Sequence, residues 1–439
     1  MAVPKLPDRP AQDTAGLRVV SSKENAPASK KKKGPLLPGK LGRVDIPFLT
    51  LVLMLLLFGL VMLFSASYPT GHMRFGDSYA FIMPQLRYAA LGLVILVGAT
   101  LVDYHLLRKF AWPLMFLTYV LLVVVLFMEP KNGAKRWIWL NAAHTQSIQP
   151  SELVKFAVIL LFAALIAANQ KRIKSFTYGF LPFVVILGSV AGLLLLEPHL
   201  SCTILIMGIG VTMMFAGGTS LRWFGFAAIL GAGALYLLLT KMPDLVPYAM
   251  SRITTWLDPF NAPDEKAHQT IQSLIAVGSG GLTGNGIGGS VQKFLYLPEM
   301  YNDYIFAIIC EELGFVGAIC MIVLFLLLLL RGLHIALRAK DKFGAMICVG
   351  VSVQIALQTF LHIAVNTNAI PSTGISLPFF SSGGTSLVML MGQVGVMLSV
   401  SRQGYASVAE ARQKAAEEAQ QEAAGQPKAE EELPVAEEA

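Results

Sequence analysis

The chain has 439 residues, of which 55% are apolar and only 14% charged. Soluble domains carry about 25% charged residues, so a soluble domain is excluded. The net charge of +7 is unevenly placed, with Lys30, Lys31, Lys32 and Lys33 in a basic N-terminal arm and Glu417, Glu418, Glu430, Glu431 and Glu432 in an acidic tail. The arm fits anionic lipid headgroups on the cytoplasmic side; with no interleaved aromatic residues it predicts no nucleic-acid partner.

Apolar runs of about 18 or more residues recur, each long enough to cross a ~30 Å hydrocarbon core as a helix. They predict an all-α polytopic membrane protein with ten transmembrane helices, at approximately 46–68, 88–103, 110–128, 152–169, 179–197, 200–217, 222–240, 303–330, 343–366 and 384–401. The first run starts too late and is too long for a cleavable signal peptide. Residues 1–45 are therefore read as a basic cytoplasmic arm, 46–402 as the ten-helix domain and 403–439 as an acidic cytoplasmic tail. Arm and tail are expected to be disordered, apart from an isolated helix in the tail.

An even number of spans places both termini on one side. Arg108, Lys109, Lys171, Arg172, Lys174, Arg222, Arg331, Arg338, Lys340 and Lys342 gather on that side, which makes it cytoplasmic. The large loop between the seventh and eighth spans, about 241–302, is then extracytoplasmic. Within it Ala267 to Val277 predicts a short amphipathic helix along the membrane surface, with Ile271, Leu274 and Ile275 on one side. Cys202, Cys310, Cys320 and Cys348 fall in apolar runs and are read as reduced packing residues.

Ionisable residues at membrane depth are costly and mark functional sites by default. Lys135 and Arg136 beside Trp137 and Trp139 form a basic-aromatic cluster, read either as a headgroup anchor or as a phosphate contact for a bound lipid. Pro150 opens the fourth span with Ser151 as its expected N-cap. Glu152 and Lys155 share a helix face there, as an ion pair or as part of a polar cavity. The glycine-dense stretch from Gly278 to Gly289 contains a GxGxxG match, but no strand precedes it and it faces away from the cytoplasm. A dinucleotide site is rejected in favour of turns or backbone approach to a ligand.

Asp303 stands where the long loop enters the eighth span. A half-solvated carboxylate there suits a general base with a modestly raised pKa, and equally suits a helix N-cap. Glu311 lies on a similar side of that helix. Glu312 points elsewhere and is expected to pair with a Lys or Arg. Gln354, Gln358, His362 and Asn366 form one polar stripe on the ninth span, facing other helices or a wet cavity. Ser381, Ser382, Gly383 and Gly384 make a turn of small residues before the tenth span. The sequence contains no metal-ligand cluster, Walker A motif or HExxH.

Several stretches together resemble the SEDS family of bacterial cell-wall proteins (FtsW, RodA and SpoVE), over about residues 46–402. They are Gly133-Ala-Lys-Arg-Trp137, Ile148-Gln-Pro-Ser-Glu-Leu-Val-Lys155, Leu257-Asp-Pro259 and the run from Gln272 to Gly284. Further along come Tyr296-Leu-Pro-Glu299, Asp303-Tyr-Ile-Phe306, Glu311-Glu-Leu-Gly314, Gly374-Ile-Ser-Leu-Pro-Phe379 and Ser382-Gly-Gly-Thr-Ser386.

The resemblance implies a peptidoglycan glycosyltransferase in the bacterial cytoplasmic membrane that polymerises lipid II into glycan strands at the outer face. It implies a class B penicillin-binding protein transpeptidase and other division proteins as partners. The family's essential aspartate falls on Asp303, and its Glu/Lys pair on Glu152 and Lys155. On this reading Asp303 is the base that activates the acceptor sugar, with inversion at the donor anomeric carbon. Lys135, Arg136, Lys155 and Arg252 face the departing pyrophosphate, and Glu152, Glu299, Ser382, Gly383 and Gly384 line the substrate cavity. Mg or Mn is the one cofactor in view, without a dedicated site. Gly374-Ile-Ser-Leu-Pro favours an FtsW-like or SpoVE-like role, at the division septum for the former, over RodA-like elongation. Two other readings stay open: a flippase for the lipid-linked precursor and a non-catalytic scaffold. The chain departs from the family at Glu197-Pro198-His199 (Gln-Pro-Asp), Ser381-Ser382 (Ser-Tyr) and Tyr301-Asn302-Asp303 (His-Thr-Asp).

Overall fold

The computed structural model describes residues 42–129, 136–139, 147–197, 199–241, 253–261 and 265–425. Helix α1 (Ile46–Phe75) starts where Asp45 accepts a hydrogen bond from the Phe48 N–H and Pro47 presets the first turn. It stops at Gly76, whose φ of 69° is the left-handed C-cap conformation. There follow α2 (Ile82–Leu101), α3 (Leu107–Val125), α4 (Pro150–Ala168) and a single turn α5 (Phe176–Gly179) that leads into α6 (Leu181–Leu196). Next come α7 (Leu200–Gly217) and α8 (Leu221–Lys241). Beyond the large loop lie α9 (Glu265–Ser279), α10 (Ile305–Leu337), α11 (Lys342–Asn366) and α12 (Gly384–Gly425).

Among the described residues nine helices are long and apolar enough to cross a membrane. The expected seventh span, α8, is a helix of 21 residues, about 31 Å at 1.5 Å per residue and so also long enough. The chain is a multi-pass α-helical membrane protein. The one departure from all-α architecture is a two-stranded antiparallel ribbon, Ile138–Trp139 with Ser147–Ile148. In the tail, helix α12 continues without interruption to Gly425; the basic arm up to residue 41 lies outside the described residues.

At the centre, α4 packs against α3, α7 and α11, while α12 runs along α2 and α10 touches α1, α9 and α11. The bundle is tied at its cytoplasmic end. Arg331 of α10 makes two hydrogen bonds to Asp45, both 2.9 Å, and the Tyr405 hydroxyl donates a third at 2.9 Å. Burial alone would raise the Asp45 carboxyl, but Arg331, the Phe48 N–H and Tyr405 hold it below its ordinary value.

Helix α10 is broken. Gly314 has φ 67° and ψ −168°, which interrupts the ladder and frees carbonyls that must find new donors. The glycine-rich loop supplies them: Asn285 N–H bonds Glu311 O at 3.0 Å and Gly286 N–H bonds Glu312 O at 2.9 Å. In return Phe315 N–H reaches Gly281 O (2.9 Å) and Val316 N–H reaches Leu282 O (3.1 Å). A Cβ on Gly314 would meet the Gly284 nitrogen at 2.3 Å, so the two backbones touch only because both residues are glycine.

Glu311 and Glu312 serve this junction. Glu311 accepts from the Ser290 hydroxyl and the Val291 N–H. Glu312 pairs with Lys293 at 2.7 Å and accepts from Ser65 of α1, and both charged side chains are fully enclosed. The expected cationic partner of Glu312 therefore exists, though on the loop rather than on another helix. Helix α9 covers the predicted amphipathic segment; the face it packs against the protein is Ala267, Thr270, Ser273 and Ala276, small residues that allow close packing, while Ile275 is exposed.

Candidate functional site

Asp303 precedes α10 but does not cap it. The residue at the N-cap position is Tyr304, whose side chain makes no capping bond. The first-turn N–H of Ala307 instead donates to Asn366 Oδ1 of α11 (3.1 Å), and Asn366 Nδ2 donates to the Asp303 main-chain oxygen (3.0 Å). Asn366, the last residue of the predicted polar stripe, thus takes over the cap and fixes the Asp303 backbone. Among the described residues nothing donates a hydrogen bond to the Asp303 carboxylate, which is half-buried.

The turn that presents Asp303 is tight. Glu299 has φ 54° and its carbonyl accepts from the N–H groups of Asn302 and Asp303, both at 3.0 Å. The loop before α12 clasps the same turn: Ser381 Oγ donates to Asn302 O (2.6 Å) and Ser382 N–H to Tyr301 O (2.9 Å). Gly374 lies against the carboxylate; a Cβ there would come 2.9 Å from Asp303 Oδ2. Burial, and next the negative charge of Glu299, push the Asp303 carboxyl up to about 7, with Arg136 pulling the other way.

Across the same outer end, α4 starts with Pro150 after Gln149, not with Ser151 as cap. Ser151 is buried inside the helix, because Pro150 occupies the first helical position. Glu152 and Lys155 form the expected ion pair at 2.8 Å, and Ser386 of α12 donates to Glu152 at 3.0 Å. The ribbon before α4 delivers Arg136 to this region. Arg136 acts electrostatically on Asp303, Glu197 and His199 alike, which joins the two halves of the site.

Glu197 and His199 were not anticipated as site residues. Both are buried, and Glu197 Oε1 and His199 Nδ1 lack partners. Burial pushes Glu197 up to about 8, opposed by Arg136; burial, Arg136 and Lys155 push His199 down to about 3. The available signal was an ionisable pair at a turn between two uninterrupted apolar helices, where each polar group is expensive.

The structure thus brings together Asp303, Glu299, Ser382, Gly383 and Gly384 on one side and Glu152, Lys155 and Arg136 on the other. Lys135 and Arg252 lie outside the described residues. Among the described residues, no group of three or more His, Cys, Asp or Glu side chains could hold a metal ion.

Membrane-spanning helices that gather a cluster of charged side chains at one end of the bundle define a polytopic α-helical membrane protein. Residues 46–406 match the family described as "Cell cycle protein", FtsW/RodA/SpoVE, and the chain belongs to that family. It is similar to the Stage V sporulation protein E of Bacillus subtilis, 41% identical over 82% of this chain and 97% of that protein. It is also similar to a "Probable peptidoglycan glycosyltransferase FtsW" of Geobacter sp., 37% identical over 81% of this chain and 96% of that protein. A solved structure described as "Structural coordination of polymerization and crosslinking by a peptidoglycan synthase complex" aligns with a TM-score of 0.68 at 25% identity, covering 82% of this chain and 98% of that one.

Proposed function

We infer that this chain is a peptidoglycan glycosyltransferase that polymerises lipid II at the outer face of the bacterial cytoplasmic membrane, with Asp303 as general base. The observation that carries the assignment is the release of Asp303 from capping: Asn366 does that work, leaving a raised carboxylate with no hydrogen-bonded duty. A base with a pKa near the working pH balances being deprotonated against being strong enough to take a proton.

In the proposed step, Asp303 takes the proton of the acceptor sugar's 4-hydroxyl as that oxygen bonds to the donor's anomeric carbon. The bond to the pyrophosphate oxygen breaks on the opposite face, so the carbon inverts and the lipid pyrophosphate leaves with the electron pair. A single base suffices because no glycosyl-enzyme forms, in contrast to retaining glycosidases. Arg136 and Lys155 counter the charge that develops on the leaving group, joined in this reading by Lys135 and Arg252. Glu152 positions Lys155, while Glu299, Ser382, Gly383 and Gly384 shape the acceptor side. Mg or Mn, bound with the pyrophosphate, would offset part of its negative charge.

The FtsW and SpoVE relatives favour division or sporulation over elongation, with the septum as the place of action and other division proteins alongside. The neighbour that couples polymerisation to crosslinking supports a class B penicillin-binding protein transpeptidase as partner. A flippase reading gains nothing from the break at Gly314, whose freed carbonyls are taken up by the loop. The test is purified protein with its transpeptidase partner and lipid II in detergent. Glycan polymer from the parent and none from folded Asp303→Asn supports the assignment; undiminished polymer from the variant removes Asp303 from the mechanism.

A further inference from the structure

The loop that plugs the broken helix carries bulky apolar side chains that are exposed. Leu282 is 72% exposed, Ile287 65% and Val291 59%, and Phe294 and Tyr296 are exposed as well. In an aqueous loop such a patch would be a liability. Its height along α10 gives it a solvent.

The Arg331–Asp45 pair marks the cytoplasmic border, where α1 begins. From residue 331 back to residue 316, α10 is regular and rises about 22 Å at 1.5 Å per residue. Leu282 is hydrogen-bonded to Val316, so it sits at that height, about 8 Å short of the outer boundary of a ~30 Å hydrocarbon core. Phe315 and Val316 beside it are themselves exposed apolar residues of a membrane helix. Glu312, which binds Lys293, lies beyond the break at Gly314, further toward that boundary. Phe294 and Tyr296 follow Lys293 in sequence, at the level where aromatic side chains collect in membrane proteins. Lys293 itself is held by Glu312, by Ser65 and over the Tyr68 ring at 4.9 Å, so the charge does not face lipid. Four main-chain groups at the break, the Glu311 and Glu312 carbonyls and the Phe315 and Val316 N–H groups, are paired with the loop, as non-helical backbone at that depth requires.

We propose that residues 280–296 form a re-entrant wedge in the outer leaflet, with Leu282 among lipid acyl chains and Phe294 and Tyr296 at the headgroup boundary. The occupant of the apolar patch is bilayer hydrocarbon, because the helix to which the loop is bonded stands in it.

The experiment is site-directed spin labelling of full-length protein in phospholipid liposomes, in a Cys320→Ser background, since Cys320 is the exposed cysteine. Nitroxides are placed at Leu282→Cys, at Val316→Cys as lipid reference and at Asp77→Cys as aqueous reference. The wedge predicts an oxygen-to-nickel-chelate accessibility ratio at 282 within about twofold of that at 316, and roughly tenfold above that at 77. A ratio at 282 matching position 77 overturns it. If Leu282→Cys does not fold, Leu282→Trp replaces it: fluorescence above the parent's must be quenched by lipids brominated on their acyl chains, and unquenched emission overturns the proposal. Neither readout involves polymerisation, so the depth of the loop stands or falls apart from the enzymatic assignment.

Discussion

Asp303→Asn should make the protein inactive and, at neutral to alkaline pH, more stable. The carboxyl is raised from an ordinary 3.8 to about 7. The folded state therefore holds its proton more tightly than the unfolded chain. Below pH 3.8 both states are protonated and Asp303 costs nothing. Between 3.8 and about 7 the unfolded chain ionises first, so stability falls as pH rises, and above 7 the full penalty is present. At 1.36 kcal/mol per pH unit the interval is worth about 4 kcal/mol; the side chain is only half-buried, and screening by water reduces this to ~2 kcal/mol. Asparagine carries no charge at any of these pH values and escapes the penalty. Thermal unfolding of parent and variant in detergent should show a midpoint higher by a few °C in the variant at pH 8 and nearly equal midpoints at pH 4. A variant less stable than the parent at pH 8, or a difference independent of pH, would refute the claim that the carboxylate is held at a cost.

Four further outcomes follow from the same geometry. Polymerisation should rise with pH through about 7 as Asp303 ionises; Glu299→Gln, by removing a negative neighbour, should move the midpoint of that profile to lower pH in a rate-against-pH series. Gly374→Ala, which pushes a methyl against Asp303 Oδ2, should lower polymerisation about tenfold, since small misplacements of a reacting group are costly, with insertion and thermal midpoint unchanged. Asn366→Leu strips the α10 cap and the support of the Asp303 backbone; leaving those groups unpaired should cost about 1–3 kcal/mol in unfolding experiments and reduce activity as well. Lys293→Met strands Glu312 and should cost about 3–5 kcal/mol, whereas Lys293→Met with Glu312→Leu should recover most of that loss, as measured by comparing the three melting curves.

The spans were legible because each apolar run meets hydrocarbon or other helices along its own length, so a local pattern suffices. Predicted and observed ends agree within a few residues for most helices, and the larger differences have local causes. Helix α2 begins at Ile82 rather than near 88 because Gln85 and Arg87 do not deter a helix whose Gln85 is buried against the Ser381 turn. What the pattern could not carry was pairing across distance. Ser65 meets Glu312 across 247 residues and Asn366 meets Asp303 across 63, and no periodicity announces either contact.

Distance in sequence also hides what holds each acid. Three acidic residues stand near the start of the eighth span, with Asp303 read as base or cap and Glu312 as an ion-pair partner, and each is an ionisable group where burial is expensive. The structure separates them by what is spent on each. Glu311 receives three donors from the loop, and Glu312 receives an ammonium and a hydroxyl; both carboxylates hold the loop against the break at Gly314. Asp303 receives none, although Asn366 stands close enough to bond its backbone. Asp303 thus differs from its two neighbours in having no hydrogen-bond donor on its carboxylate among the described residues, as the proposed base requires. Glu197 belongs to the same class on the opposite side of Arg136, buried with an unpartnered oxygen. What distinguishes Asp303 is geometry: Asn366 of α11 holds its main-chain oxygen and the loop before α12 clasps the turn that carries it, while its carboxylate receives no hydrogen bond among the described residues, and the proposed role as base rests on that arrangement.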